Sequence, residues 1–201
     1  MKRTYILSGV TEGVDLLLPY IDSHSHHSAP FLIAIDGRCA SGKTTLSQAL
    51  SQRISCPVIH MDHFFLPPPM RTPERLSQPG GNVDRERFAK EVLAPLKAGL
   101  PFAYSPFNCH TCRLDAPIEI PSAPAVIVEG SYACHPELAD AYDLRVFMTV
   151  SPEVQASRIS ARNGEASARI FATRWIPLEE AYFSAFGVSD LCEMVFDTSF
   201  A

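Results

Sequence analysis

The segment GRCASGKT at residues 37–44 constrains this chain more than any other feature. Its two glycines, its lysine and its threonine stand at the spacing of a phosphate-binding loop. An apolar run at residues 31–35 precedes the segment, and residues 42–53 follow it with a helical pattern. Such a loop requires a strand before it and a helix after it, and the sequence predicts both. A chance glycine-rich turn is the alternative, and these flanking elements argue against it.

Each part of this loop has a chemical role in holding a nucleoside triphosphate. The glycines let backbone N–H groups turn inward around a phosphate, and the following helix offers its positive N-terminus. Lys43 can reach the outer phosphates, and the Thr44 hydroxyl can ligate Mg²⁺. We therefore expect ATP or GTP, together with Mg²⁺, to be bound by Gly37, Ala40, Ser41, Gly42, Lys43, Thr44 and Thr45.

Strand-like and helical patterns alternate along the chain. Apolar runs typical of buried strands occupy residues 31–35, 56–61, 123–128 and 144–150, and residues 193–197 would form a last strand. Helical patterns occupy residues 11–23, with a break expected at Pro19, and then residues 42–53, 84–98, 151 to about 162, and 177–186. This alternation predicts one domain over residues 1–201, with a mainly parallel sheet in a three-layer α/β/α fold. Ligands are expected beyond the carboxyl ends of the strands.

The composition excludes several classes of protein. The chain has 201 residues, of which 46% are hydrophobic and 19% charged, and its longest apolar runs are too short to span a bilayer. A net charge of -5 argues against general nucleic-acid binding. No export signal is expected, and six cysteines without framework spacing favour a reducing cytosol. We therefore expect a cytoplasmic protein with a small-molecule substrate, with no nucleic-acid or membrane partner, and with homo-oligomerisation left open.

Carboxylates follow two of the predicted strands. Asp62 ends the run at residues 56–61 and is the candidate base, because a carboxylate beside a transferring phosphoryl group can accept the proton of an attacking hydroxyl. Glu129 follows the run at 123–128 and could complete a Mg²⁺ environment with Thr44 and Asp62. A strand-end cap is the alternative for Asp62. Asp36 is a competing carboxylate that we expect instead to anchor the loop.

An arginine-rich segment at about residues 158–175 predicts a lid. Arg158 and Arg162 are four residues apart and share a helix face, and Arg169 and Arg174 follow. Arginines folded over a nucleotide would bind phosphate oxygens and stabilise the charge that develops during transfer. A solvated basic helix is the alternative.

An irregular insertion at about residues 64–120 is the candidate acceptor region. It contains a proline-rich loop at residues 66–81 and a predicted hairpin in which Tyr104, Phe107 and His110 could hold a nucleoside base. Phe65 belongs either to the core or to a ring pocket. A zinc site at Cys109 and Cys112 is a weaker alternative, since no second well-spaced pair accompanies them. His24, His26 and His27 lie in a polar connection and are expected to be solvated, with metal binding as the alternative.

From about residue 31 onward the sequence resembles the uridine kinase family of P-loop phosphotransferases. The resemblance rests on the loop at 37–44, the segment MDHFF at 61–65, the segment GNVD at 81–84, and the lid followed by WIPLEE at 175–180. It implies a P-loop NTPase fold with a β-hairpin acceptor region and an arginine-rich lid. The hairpin spacing and the proline-rich loop depart from the family pattern.

The resemblance also implies roles for individual residues. Asp62 would be the catalytic base, with Lys43, Arg162 and Arg169 assisting transfer, and Asp84 would bind ribose hydroxyls. Tyr104, Phe107 and His110 would hold the pyrimidine beside Phe65. The lid would divide between the nucleotide, bound by Arg158 and Arg162, and the acceptor, bound by Arg169 and Arg174.

These observations predict phosphorylation of the 5′-hydroxyl of uridine or cytidine by ATP. One alternative keeps the machinery but uses another small alcohol, such as pantothenate, a sugar or a sugar phosphate. Arg71, Arg75, Arg85 and Arg87 would favour an acidic acceptor of this kind if they faced the crevice. Another alternative is a non-catalytic nucleotide-binding regulatory protein, although a pure switch needs no base such as Asp62.

Overall fold

The computed structural model describes residues 2–24 and 29–200. His26 and His27 lie outside the described residues, as does the side chain of His24, so the prediction for these three histidines is not addressed. None of the described helices combines the length and the apolar character needed to cross a membrane.

A parallel sheet of six strands forms the centre of the molecule. In chain order the strands of the whole fold are β1 (Arg3–Ile6), β2 (Phe31–Gly37), β3 (Val58–His60), β4 (Phe102–Tyr104), β5 (Phe107–Asn108), β6 (Arg113–Leu114), β7 (Ile118–Ile120), β8 (Ala125–Glu129), β9 (Leu144–Thr149) and β10 (Met194–Asp197). The central sheet has the order β1-β10-β9-β2-β8-β3, and each neighbouring pair is parallel. Antiparallel pairs join β4 to β7 and β5 to β6 outside it. The predicted mainly parallel α/β architecture is confirmed.

Helices cover both faces of this sheet. They are α1 (Val10–His24), α2 (Lys43–Ile54), α3 (Pro73–Leu76), α4 (Arg85–Phe88), α5 (Ala94–Lys97), α6 (Pro136–Ala139), α7 (Pro152–Ile170) and α8 (Ile176–Phe186). A π-helical turn, Ala89–Leu93, joins α4 to α5, and another, Phe171–Trp175, joins α7 to α8.

Strand β2 shows how the two faces are filled. All seven of its residues are buried. Leu32 and Ala34 point into one core with Phe64, Phe88 and other residues of the insertion, whereas Ile33 and Ile35 point into a second core that includes residues of α1 and α2. A strand buried on both faces must be apolar throughout, which is why its run was readable from the sequence.

Three features of the fold differ from the predictions. Strand β1 was not predicted, because it is a short edge strand whose side chains are mostly exposed and give no apolar run. Helix α1 runs through Pro19, so the expected break is wrong; burial of Val14, Leu17 and Ile21 offsets the lost backbone hydrogen bond. Helix α7 has a kink at Gly164, close to the expected end near residue 162, and a second helical segment that was not predicted continues from there to Ile170.

Gly37 shows why the strand can pass directly into the loop. Its φ is 134°, and a Cβ atom there would lie 2.0 Å from the backbone oxygen of Met148 in β9. Any side chain would therefore push the two strands apart. The glycine lets β9 lie against the first residue of the phosphate loop.

Candidate active site

The phosphate loop adopts a strained turn that leads directly into α2. Ala40 has φ 59° and Gly42 has φ 95°, so two residues of the turn lie in the left-handed region. Lys43 Nζ donates to the carbonyl oxygens of Gly37 at 2.7 Å and Arg38 at 2.9 Å. The buried Ser41 hydroxyl has no hydrogen-bond partner among the described residues. A turn held by its own lysine and carrying such an orphaned donor fits a site that receives phosphate oxygens.

A cleft of about 1300 Å³ lies in front of this turn. Six of the seven predicted loop residues line it, namely Ala40, Ser41, Gly42, Lys43, Thr44 and Thr45. Gly37 does not; it is buried behind the turn and contributes its carbonyl oxygen to Lys43. Six of the predicted residues therefore lie together at the cleft, and their binding of a nucleotide stays a prediction.

Asp36 is the anchor of this loop. It is fully buried and accepts hydrogen bonds from the backbone N–H groups of Gly37, Tyr132 and Cys134 and from the hydroxyl of Tyr182. Burial raises the pKa of Asp36 to about 6, although these donors lower it. With its carboxylate occupied by the scaffold, Asp36 is placed as the loop anchor that we expected.

Two glutamates of α8 also hold the loop, and sequence reasoning gave them no role. Glu179 is buried and accepts from the Cys39 backbone N–H at 2.9 Å and from the Ser131 hydroxyl at 2.7 Å. Glu180 pairs with Arg38 at 2.6 Å. Their only sequence signal was membership of the segment WIPLEE. The pair ties the helix that follows the lid to the backbone of the phosphate loop.

Glu129 lies at the carboxyl end of β8, directly opposite Thr44. The Thr44 hydroxyl is 3.3 Å from one oxygen of its buried carboxylate, and His60 Nδ1 is 2.5 Å from the same oxygen. This hydrogen bond raises the pKa of His60. The position of His60 beside Glu129 was not predicted, because the sequence does not indicate the register in which β3 pairs with β8.

Asp62 lies in the cleft, just beyond the end of β3. Its side chain reaches solvent, but the surrounding cleft walls raise its pKa by desolvation, against the lowering effect of Lys43. The negative charges of Glu129 and Glu179 raise the pKa further. The carboxylate is thus accessible to a ligand and more basic than an ordinary aspartate.

The oxygen atoms around Thr44 suit a Mg²⁺ ion. Hydroxyl and carboxylate oxygens are the ligands this ion prefers, and it is commonly held by one or two carboxylates together with substrate phosphates. Across residues 2–24 and 29–200 there is no cluster of three His, Cys, Asp or Glu side chains able to hold a metal without a substrate. Mg²⁺ binding by Thr44, Glu129 and Asp62 stays a prediction, and the zinc alternative at Cys109 and Cys112 gains no support.

A smaller cavity of about 420 Å³ opens beside Asp62. Four residues line both this cavity and the main cleft, namely Asp62, Phe65, Cys109 and His110. Phe107 lines only the smaller cavity, together with Asn108 and Asp115. Phe65, Phe107 and His110 thus lie where an acceptor region was predicted.

Tyr104 and Asp84 are placed differently from the prediction. Tyr104 is buried, with its ring 5.2 Å from that of Phe64 and its hydroxyl 2.9 Å from His63 Nδ1. Asp84 is also buried, and it accepts from the Arg87 backbone N–H as the N-cap of α4. Neither residue lines either cavity. Their positions are therefore corrected: apolar packing takes Tyr104 into the core, and helix capping uses the Asp84 carboxylate.

The arginines of the lid divide into three groups. Arg162 and Arg174 are exposed and line the cleft, and Arg174 also stacks on Trp175 at 4.5 Å. Arg158 lines the cleft too, but its guanidinium donates to the carbonyl oxygens of Ala40 and Thr198, so it also braces the phosphate loop. Arg169 is exposed and lines neither cavity, so the role predicted for it gains no support from its position.

Comparisons with known proteins agree with this architecture. No protein-family model matches the chain. Uridine-cytidine kinase B of Dictyostelium discoideum is 25% identical over 147 residues, which cover 68% of this chain and 58% of that protein. This chain therefore spans less than two thirds of the length of that curated relative.

Two solved structures share the fold over almost all of both chains. A possible uridine kinase from Bacillus stearothermophilus superposes with a TM-score of 0.72 at 20% identity, covering 94% of this chain and 99% of that one. A proposed fructose transport system kinase from Silicibacter sp. TM1040 superposes with a TM-score of 0.70 at 20% identity, covering 93% of this chain and 98% of that one. The chain is thus similar to uridine kinases in sequence and has a P-loop kinase fold, which confirms the predicted resemblance.

Proposed function

We propose that this chain is a phosphotransferase that moves the γ-phosphoryl group of ATP or GTP to a hydroxyl of a small molecule. The 5′-hydroxyl of uridine or cytidine is the first acceptor to consider, because the similarity to a uridine-cytidine kinase favours it. The fold and the phosphate loop support the donor side of this proposal.

The position of Asp62 is the observation that carries the proposal. Its carboxylate lines both the cleft in front of the phosphate loop and the adjoining smaller cavity. A base for phosphoryl transfer must stand at such a junction, where the acceptor hydroxyl meets the terminal phosphate. A nucleotide-binding switch has no use for a solvent-accessible carboxylate there.

The proposed mechanism depends mainly on positioning. The phosphate loop and Lys43 hold the triphosphate, and the exposed guanidinium groups of Arg162 and Arg174 neutralise charge on the group in transit. Asp62 orients the acceptor hydroxyl and accepts its proton, for which a raised pKa makes it a better base. Thr44 and Glu129 would hold Mg²⁺, which when bound supplies charge neutralisation at the phosphates.

A direct test measures ADP formation with uridine, cytidine and a panel of small alcohols, each against a reaction without acceptor. The proposal expects at least one acceptor to raise the rate well above this background in the presence of Mg²⁺. Nucleotide binding without acceptor-dependent turnover across the panel would favour the regulatory alternative.

Arg71 favours a second candidate, an acceptor that carries a negative charge. Of the four arginines at positions 71, 75, 85 and 87, three form ion pairs: Arg75 with Glu86, Arg85 with Glu137 and Arg87 with Glu91. Arg71 instead lines the cleft on the side of Asp62, with its Nε donating to the Leu66 carbonyl oxygen at 2.7 Å. A guanidinium held in this way suits a carboxylate or phosphate.

The same panel separates the two candidates. An anionic acceptor whose KM rises at least tenfold in Arg71→Gln, with the ATP KM unchanged, would support the second candidate. If uridine is phosphorylated and its turnover is the same in Arg71→Gln as in the wild type, the result would support the first candidate, a pyrimidine nucleoside acceptor. Arg75→Gln is the matched control, because Arg75 is committed to Glu86.

A further inference from the structure

The main cleft continues past the phosphate loop to the N-terminal part of the chain. Its lining there includes Leu7, Gly9 and Val10, which come from the turn between β1 and α1. We call residues 7–10 the N-terminal wall. No part of it belongs to the region, from about residue 31 onward, that carries the sequence resemblance.

The sheet and the first helix hold this wall in place. The Leu7 backbone N–H donates to the Asp197 carbonyl oxygen at 2.8 Å, which continues the pairing of β1 with β10. The Ser8 backbone N–H and its hydroxyl both donate to the Glu12 carboxylate at 2.8 Å. Leu7 is buried, while Val10 is half-buried against the core of α1 and α2. The wall is therefore a fixed turn with an apolar side.

The wall lies on the opposite side of the phosphate loop from Asp62. On the Asp62 side, Thr44 faces Glu129. On the other side, the Thr198 hydroxyl donates to the Ser41 carbonyl oxygen at 3.0 Å, and Thr198 immediately follows β10, the strand that pairs with β1. Leu7 also approaches Leu46 of α2, since both side chains flank Gly13.

The direction of the triphosphate decides what this part of the cleft receives. Its terminal phosphate must lie toward Asp62 if phosphoryl transfer is to reach the smaller cavity. The remaining phosphates then follow the loop, and the nucleoside leaves it on the side of Thr45, Leu46 and Thr198, which all line the cleft. A planar base leaving in this direction meets Val10 and Gly9.

We propose that the N-terminal wall forms one side of the pocket for the purine base of the donor nucleotide, with Val10 packing on the base. This inference rests on the proposed function, because it takes the direction of the triphosphate from the position of Asp62. The N-terminal wall would contact only the base of ATP or GTP. The triphosphate of the same nucleotide would be bound independently by the phosphate loop.

Comparing ATP with a ligand that has no base tests the inference. Binding of ATP and of inorganic tripolyphosphate is measured by titration calorimetry for the wild type and for Val10→Ala. Loss of the Val10 methyl groups should raise the Kd of ATP about threefold to tenfold, as expected when apolar area is removed from a contact. The Kd of tripolyphosphate should stay within twofold. Val10→Thr keeps the side-chain volume, so its effect on ATP should be smaller.

Val14→Ala is the matched control, since Val14 lies one turn further along α1, is buried in the core and does not line the cleft. It should leave both Kd values unchanged while lowering thermal stability. Equal changes for ATP and tripolyphosphate in Val10→Ala, or no change in either, would overturn the inference while leaving the proposed function intact. A wild-type protein that binds neither ATP nor tripolyphosphate would overturn both this inference and the proposed function.

Discussion

His60 and Glu129 form a short hydrogen bond across two neighbouring parallel strands, with His60 Nδ1 2.5 Å from Glu129 Oε1. The same carboxylate faces the Thr44 hydroxyl of the phosphate loop. The end of β3 is therefore linked through one glutamate to the loop at residues 37–44.

The pair predicts a measurable titration. Because Glu129 raises the pKa of His60, the pair contributes stability that is fully present below the unfolded pKa of about 6.5 and is lost as pH rises through the folded value. Glu129→Gln should therefore lower the pKa of His60, as measured by NMR of the ring protons. His60→Gln should show a smaller loss of unfolding free energy between pH 6 and 8 than the wild type does. An unchanged His60 pKa in Glu129→Gln would contradict this assignment.

Lys43 predicts a combined effect on activity and stability. It is 9% exposed and bonded to two loop carbonyl oxygens, so it also supports the conformation of the loop. Lys43→Met should abolish phosphotransfer and also lower the unfolding free energy by about 1 kcal/mol, because the carbonyl oxygens of Gly37 and Arg38 each lose one hydrogen-bond donor. Chemical denaturation and ADP formation measure the two effects. Near-normal turnover in this variant would remove the loop lysine from the mechanism.

The acceptor region predicts different outcomes for His110 and Tyr104. His110 lines both cavities, so His110→Ala should raise the acceptor KM severalfold and leave the ATP KM nearly unchanged. Tyr104→Phe removes the hydroxyl that contacts His63 Nδ1, so it should cost about 1 kcal/mol of stability without changing the acceptor KM. Steady-state kinetics measures the change in KM expected for His110→Ala, and thermal melts measure the loss of stability expected for Tyr104→Phe. A large rise in the acceptor KM for Tyr104→Phe would place its hydroxyl in the site.

The position and flanking elements of the loop at residues 37–44 were largely predictable from the sequence. A phosphate loop is a local motif whose backbone does most of the binding, so its residues and spacing predict its geometry. The carboxylates at Asp62 and Glu129 were also placed correctly at strand ends, because parallel strands bring their carboxyl ends to the same edge of the sheet.

The acceptor side could not be predicted in the same way. Tyr104 and Asp84 have residue types suited to ligand binding, but whether such a side chain faces a cavity or the core depends on tertiary packing. The ring of Tyr104 packs against Phe64, and the carboxylate of Asp84 caps the N-terminus of α4. Likewise, the supporting contacts of Glu179 with Cys39 and Ser131 join residues far apart in the chain. No local pattern encodes such contacts.

The measurement that tests the central claim most directly is the turnover of Asp62→Asn with the best acceptor found in the panel. Asparagine keeps the size and one acceptor oxygen but cannot take the proton, so kcat should fall by about 10²–10⁴-fold, the usual contribution of general base catalysis. Acceptor and ATP affinities, measured by direct titration, should change little. A wild-type kcat in Asp62→Asn would contradict the account and reduce Asp62 to a strand-end cap.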